Sequence, residues 1–450
     1  MPPPPKQPSK RSFFGFFKRF TKKSPANKMP VMKRGPRKPM THGLGRECEC
    51  AYKAAKTIDN LAMKFYREIN RPDENCVFSP ASIALALSLV EPGAGGETKK
   101  EIHVLLDPGG PSDSDTMHSF EALQRNLQIR STNSNAKEYL KKIRSLDDAA
   151  ISAQPFSTDP EGSRNRINDW ISEATAGKIP ELVQDGDIGD DTAGFLANAV
   201  YMKSAWMYEF TDTAILPFYR SGKTELAQNH KYNRATDQIF GTVSFEKYPD
   251  KGILSYIFYF SGDVTFMLQT GDYRFVEKDN YSMIELVYDS YPELMSLFIL
   301  LPKERDGIGQ LEQTLTGEEL ISLFKNRHVH RIDLKFPKFT MRCTTDLKPI
   351  FRKLGVKKMF EPYVADLSHM FERTGRAGLC ISKAKHETFI KVDEKGTEAA
   401  AVTGSLATLQ ALVVCPPPFP FVVDHPFIYA IVHNTTATGL FMGKVNSVEQ

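Results

Sequence analysis

Side chains capable of covalent catalysis are present in this sequence, but they do not form a known catalytic pattern. Residues 221–224 read S-G-K-T, like the end of a phosphate-binding loop, yet that loop requires a glycine five residues before Gly222, where Pro217 stands. His386 and Glu387 lack the second histidine of the H-E-x-x-H zinc motif, and no G-x-S-x-G nucleophile elbow occurs. The sequence therefore predicts no enzyme, and His386 is interpreted as a hydrogen-bonded structural residue.

The cysteines are too scattered to predict a disulfide scaffold or a zinc site. Cys48 and Cys50 form one close pair, but no second pair lies at the spacing that zinc requires. We therefore expect neither a metal nor a cofactor. The six cysteines are Cys48, Cys50, Cys76, Cys343, Cys380 and Cys415.

One stretch, E-K-G-T-E-A-A-A-V-T-G-S at 394–405, almost lacks bulky apolar side chains, and Val402 is the only one. Local propensity favours a solvated loop with a helical turn. Read with period two, however, Thr397, Ala399, Ala401 and Thr403 share one face, so the stretch would also fit a tightly packed strand. A segment that suits both an exposed loop and a buried strand is what a bistable element requires.

Hydrophobic periodicity predicts the helices and strands that must position this stretch. A buried helix should follow Ser79 as its N-cap and Pro80 in its first turn. Other helices are predicted at 56–69, 168–176 and 345–354, and strands at 197–202, 295–301, 336–341, 427–432 and 439–445. This mixture indicates an α+β fold.

Charge divides the sequence into two unequal parts. Residues 1–46 contain thirteen Lys or Arg and no acidic residue, whereas the other 404 residues carry 45 basic against 54 acidic side chains. Residues 1–50 are predicted to form a disordered basic extension rich in Pro and Lys. Its run F-F-G-F-F-K-R-F leaves contact with an anionic membrane surface, or nuclear import, as the alternative to a solvated tail. The acidic main body predicts no nucleic-acid partner.

Several motifs, in order along the chain, resemble those of the serpins, the serine-protease-inhibitor superfamily. V-D-E-K-G-T-E-A-A-A-V-T resembles the hinge that begins the family's reactive-centre loop. The other matching motifs are F-S-P-A-S-I-A-L-A-L-S-L at 78–89, G-A-G-G-E-T at 93–98, N-A-V-Y-M-K-S-A-W at 198–206, L-G-V-K-K-M-F at 354–360, A-D-L-S at 365–368, D-H-P-F at 424–427 and L-F-M-G-K-V at 440–445. The resemblance covers roughly residues 52–450.

The resemblance implies a serpin fold in one domain over residues 51–450. That fold is α+β, with a large central β-sheet, helices, smaller sheets and an exposed reactive-centre loop, here at about 394–420. The chain carries more residues near 230–262 than the family pattern expects, many of them apolar. A genuine insertion and an erroneous gene model both remain open as explanations.

The resemblance also implies a mechanism. A target serine protease attacks the loop as a substrate, and the loop inserts into the large sheet before the covalent acyl-enzyme is hydrolysed. The matching hinge residues are Glu394, Gly396, Thr397, Ala399, Ala400, Ala401 and Thr403. Their small side chains favour an inhibitor over the alternative, a non-inhibitory carrier or chaperone.

Five residues match the family positions that control opening of the sheet. Ser79, Ser82, Asn198 and His386 match the shutter, a hydrogen-bonded cluster that holds the central strands together, and Trp206 matches the indole at the breach, where insertion begins. Ordinary core packing is the alternative interpretation of each residue. For the shutter both interpretations hold at once.

Family loop spacing, counted from Gly396, places the reactive bond between Gln410 and Ala411, with Leu409-Gln410 and Leu412-Val413 as alternatives. No Lys or Arg occurs from Gly396 to Val423, so a protease with an acidic primary pocket has nothing to bind. A chymotrypsin-like or elastase-like protease is expected, with a papain-like cysteine protease as the alternative.

The resemblance favours a monomer in the extracellular space. The N-terminal segment lacks an uninterrupted apolar run of the length that a secretory signal needs, because Lys18 and Arg19 end the run. The cytosol is therefore the alternative compartment.

Overall fold

The computed structural model describes residues 46–108, 110, 116–126, 154–223, 243–247, 256–290, 295–370, 379–397 and 417–448. The helices in these ranges are α1 (Arg46–Ile69), α2 (Pro80–Val90), α3 (Gly96–Leu106), α4 (Thr116–Asn126), α5 (Pro160–Ala174), α6 (Ile308–Thr314), α7 (Gly317–Lys325) and α8 (Leu347–Lys353). The strands are β1 (Cys76–Phe78), β2 (Phe195–Tyr201), β3 (Ser204–Ala205), β4 (Asp212–Lys223), β5 (Val243–Lys247), β6 (Tyr256–Glu277), β7 (Tyr281–Val287), β8 (Met295–Pro302), β9 (His328–Pro337), β10 (Phe339–Asp346), β11 (Lys383–Asp393), β12 (Gly396–Thr397), β13 (Phe419–Val422), β14 (Phe427–His433) and β15 (Thr438–Val445). The predicted α+β class is confirmed.

The second helix begins where the sequence predicts it, whereas the first begins ten residues before the predicted start at residue 56. α1 begins at Arg46, so the last residues of the predicted N-terminal extension are helical. At the start of α2 the Ser79 hydroxyl accepts a hydrogen bond from the Ser82 N–H at 3.1 Å. Pro80 occupies the first turn, where its missing N–H costs nothing. Most residues of α2 are buried, because apolar side chains surround it.

The described strands form two sheets. The ten-stranded sheet has the order β1-β15-β14-β8-β7-β6-β9-β13, with β4 and β5 also paired to β6. The five-stranded sheet has the order β10-β11-β12-β3, and β2 pairs with β11 in parallel. The apolar residues 257–260, part of the predicted insertion, are strand residues that pair with both β4 and β5.

Two apolar clusters form the core between these layers. One packs the helices and includes Phe65 of α1 and Leu87 of α2. The other joins the facing sides of the two sheets and includes Ile390 of β11 and Tyr429 of β14. Apolar contacts therefore support the inner face of the five-stranded sheet along its length.

Several predicted elements have different bounds in the structure, including the helix predicted at 168–176, which belongs to α5 and begins at Pro160. The strand predicted at 336–341 is two strands in different sheets, since β9 ends at Pro337 and β10 begins at Phe339. The intervening Lys338 donates its N–H to the carbonyl of Thr265, outside either ladder. The helix predicted from residue 345 begins later, because the Asp346 carboxylate caps it by accepting from the Lys348 N–H.

Candidate functional site

The parallel pairing of β2 with β11, called the seam below, is where the predicted site residues meet. It extends from Phe195 opposite Lys383, the far end, to Tyr201 opposite Phe389, the hinge end. Past the hinge end β11 pairs instead with β12, antiparallel, and β12 pairs on its other side with β3. At the hinge end the short strand β12 therefore separates β11 from β3, whereas along the seam β11 and β2 pair directly.

β12 consists of Gly396 and Thr397, which the sequence assigns to the hinge. Gly396 has φ of +141°, and a Cβ there would lie 2.2 Å from the carbonyl oxygen of Ser204. Only glycine can adopt this backbone conformation so close to β3. Glu394, just before it, forms an ion pair with Lys338 and helps to fix the turn between β11 and β12.

Thr397 is fully buried, and its hydroxyl oxygen lies 2.8 Å from the hydroxyl oxygen of Tyr288. The Tyr288 ring stacks on Trp206 with 4.5 Å between ring centroids. The Trp206 indole donates a hydrogen bond to the Asp393 carbonyl at 2.9 Å, and its backbone N–H donates to the Lys395 carbonyl at the same distance. Trp206 thus lies where β12 enters the sheet. No sequence motif singled out Tyr288.

The four predicted shutter residues lie together across the seam. The Ser79 N–H donates to His386 Nε2 at 3.0 Å. The Ser82 hydroxyl donates to Asn198 Oδ1 at 2.6 Å, and Asn198 Nδ2 donates to the Ser82 carbonyl at 2.9 Å. Asn198 of β2 and His386 of β11 are direct neighbours in the strand register. The N-terminus of α2 therefore links the two strands of the seam.

His386 is fully buried, and burial lowers its pKa to about 3 because the apolar surroundings disfavour the imidazolium. The ring is neutral at pH 7, as its acceptance of the Ser79 N–H requires. The same Nε2 lies 2.8 Å from the hydroxyl of Thr388. No sequence motif indicated Thr388, although it follows His386 by two residues on the same strand face, where period two places a neighbour.

Within the described ranges, no group of three or more His, Cys, Asp or Glu side chains is arranged to hold a metal ion. Every helix in those ranges is too short or too polar to cross a membrane.

Part of the predicted site lies outside the described residues. The central hinge positions and the reactive-bond positions belong to residues 398–416, and the basic extension belongs largely to residues 1–45. The positions concerned are Ala399, Ala400, Ala401, Thr403, Leu409, Gln410, Ala411 and Leu412. Their roles stay predictions.

The beginning of the predicted loop, β12, therefore lies in the sheet between β11 and β3. The family model described as Serpin (serine protease inhibitor) matches residues 56–229 and 259–448. The chain therefore belongs to the serpin family, a family of protease inhibitors and not of enzymes. Residues 230–258, within the predicted insertion, lie between the two matched ranges.

Known proteins similar to this chain agree with that assignment. Leukocyte elastase inhibitor A of Mus musculus is 30% identical over 413 residues, covering 86% of this chain and 97% of the relative. Serpin B4 of Homo sapiens is 29% identical over 421 residues, covering 85% and 96%. The crystal structure of a thermophilic serpin, tengpin, in the native state has a TM-score of 0.67 at 23% identity and covers 89% of this chain and 94% of that one.

Proposed function

We propose that this chain inhibits a serine protease as a suicide substrate, by inserting its cleaved loop into the seam. The observation that carries the proposal is β12, because Gly396 and Thr397 already lie between β11 and β3. A loop that starts inside the sheet needs no separate docking step to continue as a strand.

The register of β12 predicts where the following residues would lie. Thr397 is opposite Val392, so a strand that continued antiparallel along β11 would place Ala399 opposite Ile390 and Thr403 opposite His386. Ile390 and His386 are fully buried on the inner side of the sheet. Small side chains are therefore required at these inward positions.

The outward positions of the same strand meet a different environment. Glu398 would lie opposite Lys391, which is exposed, so the two side chains could form a cross-strand ion pair. The alternation of small inward residues with a charged outward residue supports a strand that is completed only after loop cleavage.

The chemical step uses the protease's own nucleophile. Its serine hydroxyl would attack the carbonyl carbon of Gln410, and the peptide nitrogen of Ala411 would leave as a free amine after taking up a proton. The acyl-enzyme ester then joins the protease to Gln410. Insertion of residues 398–410 before water hydrolyses this ester would make inhibition irreversible.

The residues around the proposed bond favour an apolar or small primary pocket. No cation lies between Gly396 and Val423, so the pocket of a trypsin-like protease has no charged partner. The Mus musculus relative is named as an inhibitor of leukocyte elastase, which supports an elastase-like target here as well. Leu409 and Leu412 remain the alternative residues at the bond.

The proposal is tested by mixing the purified chain with chymotrypsin, an elastase, trypsin and a papain-like cathepsin, followed by denaturing electrophoresis and mass spectrometry. We expect a stable complex with chymotrypsin or the elastase and a released peptide that begins at Ala411. Gln410→Arg is the matched variant, and we expect it to gain a complex with trypsin if the bond is placed correctly.

Cleavage in the loop by every protease, without any complex, would overturn the inhibitor proposal in favour of a carrier or chaperone. A complex with the cathepsin alone would reassign the target to a cysteine protease. A released peptide that begins at Gln410 or Val413 would move the bond to the corresponding alternative.

We also propose a monomer whose basic extension acts separately from the inhibitory domain. The extracellular space is the proposed compartment and the cytosol the alternative. Fractionation of cells and their medium, for the full chain and for a form without residues 1–46, tests the compartment and the role of the extension. An unchanged distribution would exclude a targeting role for the extension.

A further inference from the structure

The segment between α5 and β2 lies against the far end of the seam. In it, the carboxylate of Asp187 lies between the amines of two β11 lysines, 3.2 Å from Lys383 Nζ and in a second ion pair with Lys385. The side chains of Asp187 and Lys385 are mostly buried. Lys383 and Lys385 are two residues apart on β11, so their side chains lie on the same face of the sheet, the face that α5 covers.

Asp187 is also tied to its own segment. Its carboxylate accepts the Gln184 N–H at 2.7 Å, while its N–H donates to the Gln184 carbonyl. This turn holds the carboxylate in place, and the hydrogen bonds and lysines together lower the pKa of Asp187 despite the opposing effect of burial. The ion pairs are therefore present throughout the neutral pH range.

Closer to the hinge end, a small apolar cluster also joins the α5 region to the two strands of the seam. Ile171 of α5, together with Ile179 and Leu182 from the following segment, is fully buried. These three residues pack against Ala199 of β2 and Phe389 of β11, on opposite sides of the seam. The α5 region thus touches both strands that must separate if a new strand enters.

The chain connectivity makes the Asp187 contact a link across the seam. The segment carrying Asp187 continues directly into β2 at Phe195, whereas both lysines belong to β11. When β2 moves away from β11, the segment must either release the lysines or detach from β2. The ion pairs oppose the opening of the seam from its far end.

We propose that Asp187, Lys383 and Lys385 form an electrostatic clasp that closes the far end of the seam and sets the rate of loop insertion. The proposal rests on the proposed function, because it concerns the same insertion step. The clasp stabilises the closed sheet and is broken in the transition state for full insertion.

The test variant is Asp187→Asn, which keeps the side-chain shape and removes the charge. Asp190→Asn is the matched control, since Asp190 is exposed in the same segment. Insertion is measured without a protease, by adding an acetylated synthetic peptide of residues 397–410 and following its uptake by native electrophoresis. The wild-type chain, both variants and a charge-exchanged Asp187→Lys/Lys385→Asp protein are compared.

We expect Asp187→Asn to take up the peptide roughly 5- to 30-fold faster than wild type. This is the factor that corresponds to the loss of one stabilising interaction from the closed sheet. The control should keep the wild-type rate, and the charge-exchanged protein should recover part of the slow rate. Added salt should accelerate the wild-type chain slightly more than Asp187→Asn, because salt screens a mostly buried ion pair only in part.

Equal uptake rates for wild type and Asp187→Asn would overturn the clasp while leaving the inhibitor proposal intact. If the wild-type chain takes up no peptide at all, the seam does not open and the insertion mechanism itself is wrong. If Asp187→Asn unfolds, Lys385→Met supplies the second measurement, with the same faster uptake expected and an unchanged rate counting against the clasp.

Discussion

Asp59 of α1 is a buried carboxyl group, 7% exposed, in the wall of a cavity of about 30 Å³. It accepts the Gly439 N–H at 2.9 Å, and the cavity is otherwise lined by apolar residues that include Phe298 and Phe324. Burial raises the Asp59 pKa to about 7, whereas an unfolded chain has the ordinary value near 3.8. The folded protein therefore holds a protonated Asp59 at pH 5.

The sign of the pH effect follows from this difference. Between about pH 4 and 7 the unfolded state has lost the Asp59 proton and the folded state has not, so stability from this group falls as pH rises. We expect Asp59→Asn to raise the free energy of unfolding at pH 8 by about 1–4 kcal/mol, since each pKa unit corresponds to about 1.4 kcal/mol. Asparagine keeps the acceptor for the Gly439 N–H and cannot ionise.

Urea unfolding of wild type and Asp59→Asn at pH 4, 6 and 8 measures this difference. The two proteins should be nearly equal at pH 4 and diverge as the pH rises. His386 and His433, whose pKa values burial lowers to about 3 and about 4, act in the opposite direction in both proteins and cancel from the comparison. A constant difference at all three pH values would contradict the prediction.

At the scale of the element, the hinge strand combines two requirements. Gly396 must turn tightly against β3, and every second residue from Thr397 onward must be small if the strand is to extend along β11. The first requirement is visible in β12, and the second follows from its register. The outer face is less restrictive because Lys391 there is exposed.

The two faces predict different effects for the same new side chain. Ala399→Gln would place a long polar group against buried Ile390, so insertion should slow and cleaved, uncomplexed protein should accumulate several-fold. Glu398→Gln introduces the same residue on the outer face and should leave the ratio of complex to cleaved product close to that of wild type. Quantitative gels of each variant with an inhibited protease give that ratio.

An equal loss of complex in both variants would mean that the loop does not enter in the β12 register. Loss in Glu398→Gln alone would mean that the strand is shifted by one residue, because a shift of one exchanges the two faces.

At the scale of the whole molecule, opening the seam would let the sheet gain a further strand. Between its two ends β2 and β11 are joined by ladder hydrogen bonds, the shutter and the contacts of α5. A strand inserted there would add hydrogen bonds on both sides and bury more surface. The intact chain is therefore expected to be less stable than the chain with its loop cleaved and inserted.

Cleavage within residues 398–416 by a protease that is not itself trapped should raise the thermal unfolding midpoint by tens of degrees. The rise corresponds to many added contacts, given that about 1 kcal/mol shifts the midpoint of a domain of 150–250 residues by about 2–4 °C. Scanning calorimetry of intact and cleaved chains measures it, with Ala399→Gln as the control that should show a smaller rise. An unchanged midpoint in the cleaved wild-type chain would show that the loop stays outside the sheet.

The sequence by itself determined the family, the α+β class and several of the residues that meet at the seam. Ordered motifs and short-range signals, such as the Ser79 cap and the small residues after Gly396, are local and can be read from one chain. Period two was enough to predict which hinge residues share a face, although the placement of the residues after Thr397 stays a prediction.

Only the tertiary structure decided which distant residues meet around the seam and the hinge strand. Tyr288 meets Thr397, and Asp187 meets Lys385, across 109 and 198 positions of sequence. Such pairs depend on strand register and on how α5 and its following segment pack, and no local pattern encodes either. The change of sheet at Lys338 was missed for the same reason, because a continuous apolar alternation does not reveal which partner strand each half will find.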